Sequence, residues 1–134
     1  MTFIKRFFSA LITLVLVAAI ALTGCSNAGG LTGNYQQDTL AMVQALRTAI
    51  EIPDDAPDKA AAQAEARQKI NVYAARYRRD PSVATLSSYT TIRTALNSLA
   101  GHYSSYPNRP LPQKLKDRLT RELTKAERAL QRGY

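Results

Sequence analysis

The first residues with chemistry to offer are Leu22-Thr23-Gly24-Cys25, at the end of an apolar run. A branched apolar residue, two small residues and a cysteine fit the lipoprotein processing signal. Small residues let a peptidase approach the backbone, and a cysteine thiolate is the nucleophile that accepts a diacylglycerol. Cys25 is the one cysteine of the chain. Acylation would therefore use up the thiol, and the fold must hold by packing without a disulfide. The segment before it agrees. Lys5 and Arg6 precede an apolar stretch from Phe7 to Leu22 broken by Ser9 and Thr13. That is the length of a signal-peptide core and short of the roughly 20 residues a spanning helix needs. Residues 1–24 are expected to be a removed signal peptide, and Cys25 the lipidated first residue of the mature form.

Catalytic groupings are missing. The one histidine, His102, has no second histidine at i+4 and no thiol beside it, so a zinc site lacks ligands. Its ordinary role is that of a helix-end residue. Asp54-Asp55 and Asp58 lie close together, but no twelve-residue calcium loop with a terminal Glu follows, and loop and capping use is expected. Serines and threonines are plentiful, yet none has a positioned base in sight, and no phosphate-cradling glycine loop is present. The expectation is no enzyme, no cofactor and no metal.

The rest of the chemistry is charge and tyrosine. The formal net charge is +8, and removal of Lys5 and Arg6 lowers it by two. An exported protein rarely meets nucleic acid, so the basic balance points to anionic lipid headgroups or to an acidic protein face. Arg76, Arg78 and Arg79 crowd one stretch. The segment around Lys114 to Arg132 is a second cationic run, most simply a solvated face, with a docking surface for an acidic partner as the alternative. Of seven tyrosines, Tyr73, Tyr77, Tyr89 and Tyr103 fall on apolar stripes and are expected in the core. Tyr106 instead lies in a loop with Pro107, Asn108 and Arg109. Tyrosine and arginine dominate binding hot spots. The candidate partner-binding residues are therefore Arg76, Arg78, Arg79, Tyr106, Asn108 and Arg109. The bland reading of the loop is a proline-stiffened helix connection.

Four helical patterns must position these groups. Ser26 to Gly33 holds three glycines and reads as a flexible leash, with the linker extending over residues 25–34. The first helix is predicted over about 35–51, with Asn34 and Gln37 resembling a capping box and Leu40, Val43, Leu46 and Ile50 as its stripe. The second is predicted over about 57–79, with Pro57 and Asp58 in its first turn, Ala66, Ile70, Tyr73 and Tyr77 as its stripe, and Asp80-Pro81 as its stop. The third is predicted over about 88–103, capped by Ser87 or Ser88, with the seam Tyr89, Ile92, Leu96, Leu99 and Tyr103. Gly101 costs about 1 kcal/mol against alanine inside a helix, so it marks either close helix approach or an early end. The fourth is predicted over about 112–131, with Leu115, Leu119, Leu123, Ala126 and Leu130 on one face. Four amphipathic helices with short connections predict an all-α antiparallel four-helix bundle over residues 35–134, a monomer when free.

Longer motifs then stand out. Tyr77-Arg78-Arg79-Asp80-Pro81 follows an alanine-rich helix. Thr94-Ala95-Leu96-Asn97-Ser98-Leu99-Ala100-Gly101-His102-Tyr103 is followed by Asn108-Arg109-Pro110-Leu111-Pro112. With the lipobox, these resemble the cyanobacterial photosystem II lumenal assembly and repair lipoprotein family, the Psb member numbered twenty-seven, over essentially the whole mature chain. The resemblance implies a four-helix bundle anchored on the lumenal side of the thylakoid membrane. It implies transient binding to photosystem II intermediates, chiefly through the smaller inner-antenna chlorophyll protein, which keeps them accessible for manganese-cluster assembly. It implies no catalysis. The rival expectation is a generic envelope lipoprotein acting as spacer or adaptor.

Overall fold

The computed structural model describes residues 30–107 and 109–133. The expected signal peptide, the lipidation site Cys25 and the candidate contact Asn108 lie outside the described residues. The chain divides into a unit up to Leu31 and a unit from Thr32 onward, and the second carries the fold. Among the described residues there are four helices and no strand: α1 Tyr35–Glu51, α2 Lys59–Tyr77, α3 Ser87–Ser105 and α4 Gln113–Gln131.

Each helix buries the stripe that its spacing marks. Ala66, Ile70, Tyr73 and Tyr77 are buried on α2, and Tyr89, Ile92, Leu96, Leu99 and Tyr103 on α3. Val43, Leu46 and Ile50 on α1 and Leu119, Leu123, Ala126 and Leu130 on α4 complete the core. Leu40 and Leu115, at the margins of their stripes, are half-buried. Helix α1 packs on α2, α2 on α3, α3 on α4, and α4 back on α1. This ring of sequential neighbours is the antiparallel four-helix bundle. The starts of α1 and α3 and the ends of α2 and α4 share one end, here called proximal because the chain enters there. The three helix connections that begin at Ile52, at Arg78 and at Tyr106 place the 52–58 and 106–112 segments together at the opposite, distal end.

The caps depart from expectation in four places. Asn34 does cap α1, its Oδ1 accepting from the Gln37 N–H at 3.0 Å. The reciprocal arm is missing, because the Asn34 N–H donates to Thr32 Oγ1 at 3.1 Å instead. Pro57 and Asp58 precede α2, which starts at Lys59, and Asp58 makes no side-chain cap bond. At its other end α2 stops at Tyr77, so Arg78 is the C-cap and Arg79 lies beyond the last turn. Neither Ser87 nor Ser88 caps α3: Leu86 takes that position, and the Ser88 hydroxyl is drawn inward, 2.9 Å from the Tyr35 hydroxyl. A buried partner on another helix outcompeted the local cap. Gly101 marks neither an end nor a close approach. α3 runs on to Ser105, and a Cβ at Gly101 would meet nothing within 4 Å. At the end of α4, Gly133 takes φ +79, the left-handed geometry that closes a helix without a Cβ clash.

Candidate functional site

At the distal end, the connection from α3 to α4 carries the exposed aromatic of the domain. Tyr106 is 47% exposed, the large hydrophobic side chain left in solvent among the described residues. It is not loose. The last turn of α3 presents His102, whose ring lies 5.4 Å from that of Tyr106. The Arg109 guanidinium sits 5.3 Å from the Tyr106 ring centroid as a cation–π contact. The Arg109 N–H donates to the Tyr106 carbonyl at 3.2 Å, closing a turn across Pro107. His102 Nε2 approaches the Arg109 carbonyl at 3.4 Å, a weak polar contact. An aromatic ring is thus contacted by a histidine and an arginine at a short proline-bearing turn. Such a platform can stack on a partner while its arginine fork takes a carboxylate or a backbone carbonyl, and it loses little conformational freedom in doing so.

The proximal arginines are a separate feature. Arg76 is already engaged: its guanidinium lies 5.1 Å over the Tyr77 ring and 3.5 Å from Asp80. It closes the end of α2, with Asp80 also accepting from the Ser82 N–H at 3.0 Å. Those bonds from Ser82 hold the Asp80 carboxyl below its ordinary value. Arg78 and Arg79 are exposed and make no ion pair among the described residues. A helix of 19 residues is about 28 Å long. The candidate set therefore falls into two groups a bundle-length apart: Tyr106 with Arg109 at one end, Arg76, Arg78 and Arg79 at the other. Sequence spacing placed them in one list, and the antiparallel path separates them.

The model for the family described as photosystem II Pbs27 matches residues 4–130 of the chain. The chain belongs to the photosystem II Pbs27 family. A relative from Thermosynechococcus vestitus, the photosystem II assembly factor lipoprotein Psb27, is 57% identical over 129 residues, which is 96% of each chain. The chloroplastic photosystem II repair protein PSB27-H1 of Arabidopsis thaliana is 37% identical over 100 residues, 74% of this chain and 58% of that one. A solution structure of Psb27 from cyanobacterial photosystem II superposes with a TM-score of 0.75 at 54% identity, covering 82% of this chain and 96% of that one.

In this Pbs27-family bundle the part that sequence reading missed is a buried polar clasp at the proximal end. Asp38, 2% exposed, accepts from the Thr32 N–H and the Thr32 hydroxyl, both at 2.7 Å, from the Gly33 N–H at 3.1 Å, and from the Tyr77 hydroxyl in a short bond. Thr39 and Tyr73 share a hydroxyl–hydroxyl bond at 2.6 Å. The rings of Tyr35, Tyr73 and Tyr77 pack edge-on and tilted around these bonds. Burial by itself would raise the Asp38 pKa, but the hydrogen bonds from Tyr77, Thr32 and Gly33 outweigh it and the carboxyl titrates below its usual range. Burial pushes Tyr73 and Tyr77 up, and for Tyr77 the Asp38 carboxylate adds to the rise. The clasp ties Thr32 and Gly33, the last residues of the expected leash, to helices α1 and α2. Its signal was in the sequence: Asp38 and Thr39 stand four residues before Met42 and Val43, which extends the buried face backward with polar groups. A buried tyrosine also usually needs a hydroxyl partner.

Two further findings bear on function. Among the described residues no cluster of three His, Cys, Asp or Glu is grouped as a metal site, and no helix is long and apolar enough to cross a membrane. The Tyr103 hydroxyl, near the distal end, is buried without a partner among the described residues, and burial pushes its pKa up to about 12.

Proposed function

We propose that this chain is a non-catalytic assembly and repair factor that binds photosystem II intermediates on the lumenal side of the thylakoid membrane. The observation that carries the reading is the 57% identity, over 96% of both chains, with a photosystem II assembly factor lipoprotein. The partner within the intermediate is the smaller inner-antenna chlorophyll protein. The bound factor keeps the complex accessible for manganese-cluster assembly and leaves afterwards. Cys25 is the acylated residue that tethers it, in keeping with the lipoprotein named in that relative. The seat of partner recognition is the His102–Tyr106–Arg109 platform, an exposed aromatic anchor beside an arginine on a stiff turn. Residues with such anchors set residence time, while outlying charges set the rate of encounter.

The test is a pull-down of the acylated protein from solubilised thylakoids in which assembly is arrested before the manganese cluster forms. The expected result is co-purification with chlorophyll-protein complexes, with a mature N-terminus of acylated Cys25 by mass spectrometry. Recovery with envelope or cell-wall material and no chlorophyll protein would favour the spacer reading. A free, unmodified Cys25 would overturn the anchor.

A further inference from the structure

Helix α4 carries Arg121, Lys125, Arg128 and Arg132 at steps of four, three and four, so the four share one face. All four are exposed, and none pairs with an acid among the described residues. Of the three acids of α4, Glu122 is held by Arg118 at 3.0 Å and Glu127 by Arg47 at 2.9 Å, and Asp117, one turn into the helix from its distal start, accepts from Gln113 at 2.9 Å. The four cations line an open groove of about 610 Å³ between α4 and the start of α3 at Ser87. The rest of its lining is Thr120, Thr124 and Ala129, with no large apolar side chain. Toward the same end stand the unpaired Arg78 and Arg79. The exposed acids Glu51, Asp54, Asp55 and Asp58 gather at the distal end, where Lys59 pairs with Asp54 at 3.0 Å. Lys59, Arg109, Lys114 and Lys116 at that end offset these four acids, so the excess of positive charge lies toward the end where the chain enters.

We propose that the proximal end is a membrane-contacting surface, in which the α4 stripe, joined by Arg78 and Arg79, takes the headgroups of an anionic bilayer. It rests on the lipid-anchored reading above. Cys25 and Thr32 are seven residue steps apart, a reach of at most about 25 Å when fully extended and about 15 Å as a coil. The clasp on Asp38 fixes the chain at Thr32 and Gly33, so the tether leaves from the cationic end. A protein hot spot desolvates an aromatic or arginine anchor in a close pocket; this groove is open, has no aromatic in its lining, and its arginines are exposed. Headgroup binding needs only cations near the surface, each adding to the attraction within a Debye length. Arginine forks fit the oxygens of a phosphodiester or sulfonate headgroup. The stripe runs about 16 Å along the flank of α4, so the bundle leans that flank and its proximal end on the bilayer, and the distal acids and the Tyr106 platform are held away from it, where a membrane-embedded complex projects its lumenal loops.

The test uses the chain from Ser26 without its acyl groups, since the unit from Thr32 onward holds its own core. Sedimentation with phosphatidylcholine vesicles containing phosphatidylglycerol is expected to show binding that falls steeply with salt, and none to phosphatidylcholine alone. The variant R121Q/K125Q/R128Q/R132Q changes only exposed side chains. It is expected to keep its circular dichroism and to lose roughly tenfold or more of the vesicle affinity. The distal variant Y106A/R109Q is expected to bind vesicles as the unaltered chain does. Equal binding to neutral and anionic vesicles, or full vesicle binding by the quadruple variant, would overturn the proposal. So would a quadruple variant that binds vesicles normally but fails to bind photosystem II intermediates, which would assign the stripe to an acidic protein. The vesicles contain no protein, so their result stands apart from the photosystem reading.

Discussion

The two ends of the bundle solve the problem of polar groups in opposite ways. At the proximal end, Asp38, Thr39 and Ser88 are buried and each finds a tyrosine: Tyr77, Tyr73 and Tyr35 respectively. At the distal end, the Tyr103 hydroxyl is buried with no partner among the described residues, and Tyr106 is turned out into solvent. The difference separates structure from recognition. A satisfied buried network fixes one arrangement of helices and of the entering chain. An exposed ring clamped by His102 and Arg109 contributes little to folding and stays available to a partner.

The comparison can be broken by substitution. Between the ends, Leu96 is buried in the seam and sets the scale. Leu96→Ala is expected to cost about 2–5 kcal/mol in urea unfolding, the range for large-to-small core changes. At the proximal end, Tyr77→Phe removes one donor from a buried carboxylate and is expected to cost about 1–3 kcal/mol. At the distal end, Tyr103→Phe removes a hydroxyl with no partner among the described residues, and the midpoint is expected to stay the same or rise slightly. If Tyr77→Phe and Tyr103→Phe had equal effects, the contrast between the two ends would be lost.

A pH series sharpens the same contrast. The folded pKa of Asp38 is depressed, so its contribution is fully present above the ordinary carboxylate value near 3.9 and is lost as pH falls through the lower folded value. Tyr73 and Tyr77 are raised, so their contribution is present below about pH 10 and lost as pH climbs toward their folded values. Stability measured by denaturant at pH 7 and near pH 3 is expected to fall on acidification. Asp38→Asn should flatten part of that fall while lowering stability at neutral pH. An unchanged acid limb in Asp38→Asn would mean that other carboxylates carry it.

The contrast also shows what the sequence could reveal. The seam Tyr89, Ile92, Leu96, Leu99 and Tyr103 is legible because a heptad-like step puts five side chains on one face whatever they pack against, and all five are buried. The polar groups of the clasp left a trace in the sequence, but their pairing was not legible. Tyr77 and Asp38 are 39 residues apart, and their pairing exists only once α1 and α2 lie antiparallel. The same long-range pairing misled the local rules at Ser88, where a good capping residue was recruited by Tyr35. The candidate contacts suffered likewise. Arg78 and Arg109 look alike as exposed arginines near turns, but which end each occupies depends on the direction of its helix.

The smallest perturbation gives the most direct test of the division between ends. A photo-crosslinking side chain would be placed at position 106 in one acylated protein and at position 132 in another, both exposed positions, and irradiated in thylakoid membranes during assembly. The account predicts a covalent adduct with a chlorophyll-binding protein from position 106 and lipid adducts from position 132. The reverse pattern, with lipid captured at 106 and the chlorophyll protein at 132, would contradict it.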